Sequence, residues 1–318
     1  MRLGGVRLMD TKQLMTFKLA AENLNFTQTA KVLNFAQSSV TSQVKALEAE
    51  LGTRLFERLG KRLILTDEGR KFKGYADTMV ALAKEAEGAV SGSSEPVGTI
   101  VIGAQESQCT YRLPPVLVKF KSQFPRVKLV FQPANSDGET RARLMDGVLD
   151  IAFITDVLKP GNAVTVEPLV KEDMKMVSSP DHPLLTKHTV LPADLEQETL
   201  LLTQLGCSYR VILEEIFLDA GVYPHSIVEF VSIEAMKQCV VSGLGIAVLP
   251  AMAVEREIKA GRLNELAWQW SDKQIYTQLA WHQDKWISPP LRAFIESTRE
   301  VFKTDEAATR HREFQFGK

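Results

Sequence analysis

The sequence predicts an α/β protein: a basic, mostly helical head joined through a long helix to a larger α/β body. Three observations carry this. Residues 1–66 hold ten Lys/Arg against five Asp/Glu, a net of +5; residues 67–318 are left with −6, although the whole chain sums to −1. Residues 11–93 read as helix broken by short turns, whereas from Gly98 onward short β-rich runs alternate with helical stretches. The join, Ser91-Gly92-Ser93-Ser94-Glu95-Pro96, has linker texture. Strands alternating with helices argue for parallel sheets. A basic head on an acidic body argues for a polyanion-binding module with a separate partner domain.

Several classes drop out. The longest apolar stretch, Gly243–Val254, is about half a membrane span and contains Pro250. The first ten residues lack the apolar core of a signal peptide, so a cytoplasmic location is expected. Cys109, Cys207 and Cys239 are the three cysteines and form no CxxC, which fits a reducing compartment. The five histidines include no HExxH, Gly243-Leu244-Gly245 lacks the third glycine of a dinucleotide loop, and no Walker A string is present. No catalytic residue, metal or cofactor is expected.

In the head, Asn25 can cap a helix with Gln28 at the capping-box position. Ala30, Val32 and Leu33 supply its apolar side, and Asn34 suits a left-handed turn. The next helix spans about 37–51. Val40, Val44, Leu47 and Leu51 form one apolar stripe, leaving Gln37, Ser38, Thr41, Ser42 and Lys45 outward. Short polar side chains at a helix start suit the major groove, where Gln pairs with adenine and Ser/Thr read either base edge; they equally suit a solvated helix. Arg54 follows, then a two-stranded ribbon turning at Gly60 with Lys61 and Arg62 at its tip, a wing whose cations can meet phosphate or the minor groove.

The run Asn25–Gly69 resembles the winged helix-turn-helix of LysR-type transcriptional regulators. Phe26, Ala30, Leu33, Gln37, Val40, Leu47-Glu48, Leu51-Gly52, Leu55-Phe56, Arg58, Thr66 and Gly69 stand at the family's spacing. Ala36 and Ser38 depart from the usual Ser and Pro, and Ser42 replaces a common long cation. Ala36 cannot cap, so Ser38 is left either to cap or to contact a base.

The helix continues over residues 67–95, with its hinge. Phe72, Ala76, Met79, Ala83, Ala86 and Val90 form a narrow seam suited to a second helix. The resemblance implies that this helix pairs two copies, that a homotetramer forms, that promoter DNA is the head's partner, and that RNA polymerase is a further contact.

Residues 98–155 spell β-α-β-α-β, with Pro114 and Pro115 opening a helix that ends near Phe124. The string Ser232–Pro250 matches the family's helix–glycine turn–strand pattern, so the resemblance covers residues 9 to about 304. It implies a periplasmic-binding-protein-like effector domain over 96–304. One lobe would hold about 98–160 and 268–304, the other about 161–267, with a loosely ordered polar tail at 305–318. Ligands in open α/β folds sit at strand carboxyl ends against helix starts. That places Ser107, Gln108 and Cys109 after the first strand, Asn135 and Ser136 after the second, and Thr155 at the end of the third. In the far lobe it places Thr203, Cys207, Ser208 and Tyr209. Hydroxyls and helix starts suggest a small carboxylate effector, although Ser107 and Ser208 are also suited to capping. Arg210 is placed to meet an anion or Glu214, four residues on.

Two other readings stand beside the small-molecule regulator. One is the same regulator acting as a thiol sensor through Cys207, perched at a helix start that lowers a thiol's pKa. The other is a solute-binding protein or enzyme with an incidental helical head.

Overall fold

The computed structural model describes residues 9–60, 62–91, 96–134, 136–159, 163–269 and 272–316. The chain forms two compact units. One holds the head and linker helix, up to Gly98, with the short segments Asp146–Val148 and Trp286–Arg292; the other holds the remainder.

The head begins with α1 (Thr11–Asn23), capped by a reciprocal Asp10/Gln13 box. In α2 (Phe26–Leu33), Asn25 Oδ1 accepts the amides of Thr27 and Gln28, so Gln28 contributes its backbone rather than the capping-box side chain. Ala30 is buried, whereas Val32, expected on the apolar side, is 55% exposed. Asn34 turns the chain with φ 58°. In α3 (Gln37–Leu51), Val40, Val44 and Leu47 are buried as the stripe requires. Ala36 occupies the cap position without a side-chain hydrogen bond, so Ser38 does not take over capping.

Strands β1 (Phe56–Leu59) and β2 (Arg62–Leu65) pair antiparallel, Phe56 opposite Leu65, and form the wing. Phe17, Leu47 and Leu55 are fully buried beneath it, with the Phe17 ring edge-on to Phe56 at 5.5 Å and tilted against Phe72 at 5.1 Å. The linker helix α4 (Asp67–Ser91) starts with Gly69 pressed on the wing: a Cβ there would lie 2.0 Å from the Leu55 carbonyl oxygen. Such overlap admits only glycine.

The expected seam on α4 is partly spent. Phe72, Ala76 and Met79 pack into the head's own core, and Val90's side chain lies outside the described residues. Among the described residues, the apolar ones that stay open are Tyr75 (70% exposed), Leu82 (53%) and Ala86.

The second unit contains two five-stranded sheets. In chain order it runs β3 (Gly98–Ala104), a π-helical turn (Gln108–Arg112), α5 (Leu113–Gln123), β4 (Val127–Pro133), α6 (Asp137–Met145), β5 (Ile151–Val157), β6 (Val164–Glu172) and β7 (Met174–Ser178). Next come β8 (Thr199–Thr203), α7 (Ser208–Asp219), β9 (Ser226–Phe230), α8 (Ile233–Val241) and β10 (Ile246–Pro250). Last are α9 (Ala251–Lys259), β11 (Asn264–Glu265), β12 (Ile275–His282) and α10 (Pro289–Phe316). The first sheet is ordered β4-β3-β5-β12-β6, the second β11-β7-β10-β8-β9. Both mix parallel pairs (β3 with β5, β8 with β9 and β10) with antiparallel ones.

Two boundaries differ from the sequence expectation. The first lobe does not end near 160: β6 pairs along β12 from Val164 to Glu172, so the chain crosses between sheets at Asp173. Pro168 breaks the alternation that would have announced β6. The tail expected to be loose beyond Thr304 continues as helix to Phe316; upstream, α10 is anchored by the fully buried Phe294, whose ring meets Phe120 edge-to-face at 5.2 Å.

Candidate functional site

The head presents one polar helix face. Gln37, Ser38, Ser42 and Lys45 are exposed on α3, while Thr41 is half-buried with its hydroxyl donating to the Gln37 carbonyl at 3.0 Å. No acidic side chain interrupts the first nine residues of this helix. Gln43, one position on from Ser42, accepts the Thr16 hydroxyl at 2.6 Å and fixes α3 against α1. Ser39, which carries no signal in the sequence beyond its place, is exposed beside Ser38, and Arg58 is exposed on the wing. Arg54 and Arg62 are exposed as expected; Lys61 lies outside the described residues. A rigid, acid-free helix face flanked by cations is what the phosphate backbone and groove edges of a duplex attract.

In the second unit the candidate ligand residues separate into three groups. The first lines a cleft of about 700 Å³ between the lobes. Its walls are Asp137 and Gly138 at the start of α6, Asp156–Lys159 beyond β5, Gly206, Ser208, Val211, Ile212 and Glu215 of the α7 region, and Lys273, Gln274 and Tyr276. Ser208 is the first residue of α7, buried, and its hydroxyl makes no cap. Gly206 has φ +84°, and a Cβ there would stand 3.1 Å from the Ser136 Cβ, so the lobes approach closely at this glycine. Ser136 itself caps α6 through the Glu139 amide (3.4 Å). Each charge on the cleft wall has a partner: Asp137 with Arg141, Asp156 with Lys159 (2.6 Å), and Glu215 with Lys273.

The second group lines a small space of about 30 Å³: Ser107, Thr203, Cys207 and Tyr209, with Glu106 and Ile233 beside them. Thr203 Oγ1 is buried without a hydrogen-bond partner. Ser107 makes no side-chain cap. Burial pushes the Cys207 thiol up and the Tyr209 hydroxyl far up.

The third group does not face these two spaces. Gln108 is fully buried, its amide donating to Thr155 Oγ1 (2.9 Å) and Thr277 Oγ1 (2.8 Å). Thr277 in turn donates to Glu172 Oε1 (2.6 Å), which Arg112 pairs. Gln108 and Thr155 therefore pin the π-helical turn to the sheet through the Gln108 amide nitrogen, while Gln108 Oε1 is buried without a hydrogen-bond partner. Cys109 lines neither space, and burial, then the Glu106 charge, raises its thiol. Asn135 lies outside the described residues.

One further expectation is corrected, and one open alternative is decided in favour of Glu214. The helix-start position of Cys207 predicts an activated thiol, but the residue is 5% exposed and desolvation outweighs the helix end, keeping it protonated. Arg210 is not free for an anion: it bonds Glu214 and Glu229, each at 2.7 Å, and the Thr203 carbonyl.

Known proteins match this arrangement. A family model described as "Bacterial regulatory helix-turn-helix protein, lysR family" matches residues 11–70, and one described as "LysR substrate binding domain" matches residues 93–303. The chain is 56% identical to the uncharacterized HTH-type transcriptional regulator YwqM of Bacillus subtilis (strain 168), over 93% of this chain and all of the relative. In structure it is similar to a full-length OxyR variant from Pseudomonas aeruginosa, with a TM-score of 0.71, 24% identity and coverage of 94% of this chain and 96% of that one. It is also similar to full-length CbnR in complex with its target DNA, with a TM-score of 0.56, 22% identity and coverage of 92% and 100%.

Proposed function

The chain belongs to the LysR family of transcriptional regulators, with its helix-turn-helix head and effector-binding domain, and from this we propose how its own residues divide the work. The α3 face enters the major groove of promoter DNA. Gln37, Ser38, Thr41 and Ser42 meet base edges there, while Lys45, Arg54, Lys61 and Arg62 hold phosphate or the minor groove. Two copies pair through the open α4 line of Tyr75, Leu82 and Ala86, so that two heads read a two-fold site. Pairs of dimers, a contact with RNA polymerase and a cytoplasmic location complete the reading. The chemistry of the cleft supports binding rather than turnover.

A small organic molecule in the 700 Å³ cleft is the signal. Its carboxylate sits at the first turn of α7, where backbone amides point outward. The observation that carries this is Ser208: it heads a twelve-residue helix, lines the cleft, and its hydroxyl is not used for capping. The cleft lysines are already paired, so the helix end and hydroxyl, rather than a free cation, supply the attraction. Such a molecule, recognised differently by two lobe arrangements, shifts the population between them.

The test is thermal unfolding of the full chain against a panel of small organic acids. A ligand at about 100 times its Kd adds roughly 2.7 kcal/mol, a shift of a few degrees. Ser208→Ala is expected to reduce the shift for the active compound. A response that Ser208→Ala leaves intact overturns the placement.

A further inference from the structure

Two side chains from the segment after β3 reach across to the start of α8 in the other lobe. Glu106 Oε1 accepts the Ser232 hydroxyl at 2.8 Å, and its Oε2 accepts the Ile233 amide at 2.7 Å. Ser232 is at the same time the cap of α8, accepting the Ala235 amide at 3.1 Å. One turn further along, the Tyr111 hydroxyl donates to Glu234 Oε2 at 2.5 Å and accepts from Lys237 Nζ at 3.0 Å. The π-helical turn between Glu106 and Tyr111 is held to the first sheet by the buried Gln108 amide. The contact therefore joins a braced loop of one lobe to the capped end of a helix in the other. A charged acceptor with two donors is among the stronger hydrogen-bond arrangements. The same residues, Glu106 and Ile233, border the small 30 Å³ space with Ser107, Thr203, Cys207 and Tyr209. That is room for about one water molecule and not for an organic ligand.

We propose that Glu106 is a cross-lobe latch: its carboxylate ties the loop after β3 to the first turn of α8 and limits access to the small space that Cys207 lines. The latch is releasable because Glu106 is exposed at the rim, where water competes for each hydrogen bond. Tyr111, farther in, gives the same helix a second hold. A ligand that extends past Ser208 toward Thr203 has to break this bridge, so Glu106 sets how much binding free energy is needed to open the inner space. Only that last consequence rests on the cleft being the effector site.

The experiment uses the full chain and adds no effector, so its outcome is independent of that reading. Cys207, 5% exposed on the wall of this small space, is alkylated with a maleimide under native conditions. Its rate is followed by peptide mass, separately from Cys109 and Cys239. Glu106→Ala is expected to raise the Cys207 rate about tenfold or more, the scale of losing ordinary hydrogen bonds across one interface. Glu106→Asp keeps the charge but is one methylene too short for the span, and is expected to label nearly as fast as the alanine variant. Circular dichroism and the unfolding midpoint check that both variants are folded. An unchanged Cys207 rate in folded Glu106→Ala overturns the latch. A Glu106→Asp variant as well shielded as the parent overturns the tether, since charge alone would then suffice.

Discussion

The carboxylate of Glu48 accepts the Leu55 amide at 2.8 Å, and the Phe56 amide at 3.1 Å binds the same oxygen. The end of the recognition helix thus holds the entry of the wing, so the orientation of both DNA-facing parts depends on one side chain. Replacing Glu48 by Ala leaves two wing amides without a partner, at about 1–3 kcal/mol for an unsatisfied buried group. The head's unfolding transition is expected to fall by several degrees. Because the wing loses its anchor, promoter affinity falls with it; anisotropy titration checks this.

Groove-reading and backbone-holding residues separate by their response to sequence and salt. Gln37→Ala is expected to cost about 1–3 kcal/mol on the cognate promoter and little on unrelated DNA. Arg62→Ala is expected to weaken binding to both and to lower the slope of log K against log salt by about one. Titrations of each variant over a range of salt concentrations distinguish the two behaviours.

The open apolar line on α4 gives a different expectation from the buried one. Leu82→Asp is expected to raise the dimer dissociation constant by more than about tenfold, since a carboxylate desolvated between helices without a partner costs well over about 1.4 kcal/mol. Sedimentation velocity reads this directly. Substituting Ala76, fully buried in the head core, by a larger residue instead lowers the head's unfolding midpoint through overpacking.

Acid weakens the α8 cluster in a defined window. Burial alone raises the Glu234 carboxyl, but hydrogen bonds from Tyr111, Lys237 and Gln238 and the Lys237 charge outweigh it and bring the pKa down to about 2 from 4.5. A carboxylate depressed in the folded state contributes stability above its unfolded pKa and loses it as pH falls through the folded one. The contribution is therefore present above pH 4.5 and fades toward about pH 2. Glu234→Gln is expected to be less stable at neutral pH and to lose less on acidification over that range. The side chain is 42% exposed, so solvent screening keeps the effect small. Denaturant midpoints of parent and variant, compared at neutral pH and across that acid window, show it.

The head was legible because its signals are local. Val40, Val44 and Leu47 repeat at helical spacing and are buried; Asn34 occupies the left-handed turn its side chain tolerates. The ligand region was legible only as a neighbourhood. Gln108 and Thr155 have the composition of a binding loop, but their use is decided by Thr277, 169 residues from Gln108 along the chain. No spacing rule carries that information. The thiol of Cys207 departs from its expectation for a related reason: its place at a helix start is local, whereas the burial that controls it comes from the packing of the whole second sheet. The bridge from Glu106 to Ser232 is invisible in the sequence because an exposed glutamate in a loop has no pattern to distinguish it.

The crossing between sheets has a mechanical meaning. Only Asp173 separates β6 from β7, and its carbonyl is already fastened to the Ala251 amide at 2.8 Å. The chain returns to the first sheet between β11 and β12. Two covalent joints define a pivot line, and one of them has almost no slack. Rotation about that line is the motion expected of two lobes joined at short connections. In a hinge of that kind, a small displacement of side chains near the joint would read out as a larger swing at the far edges of the sheets.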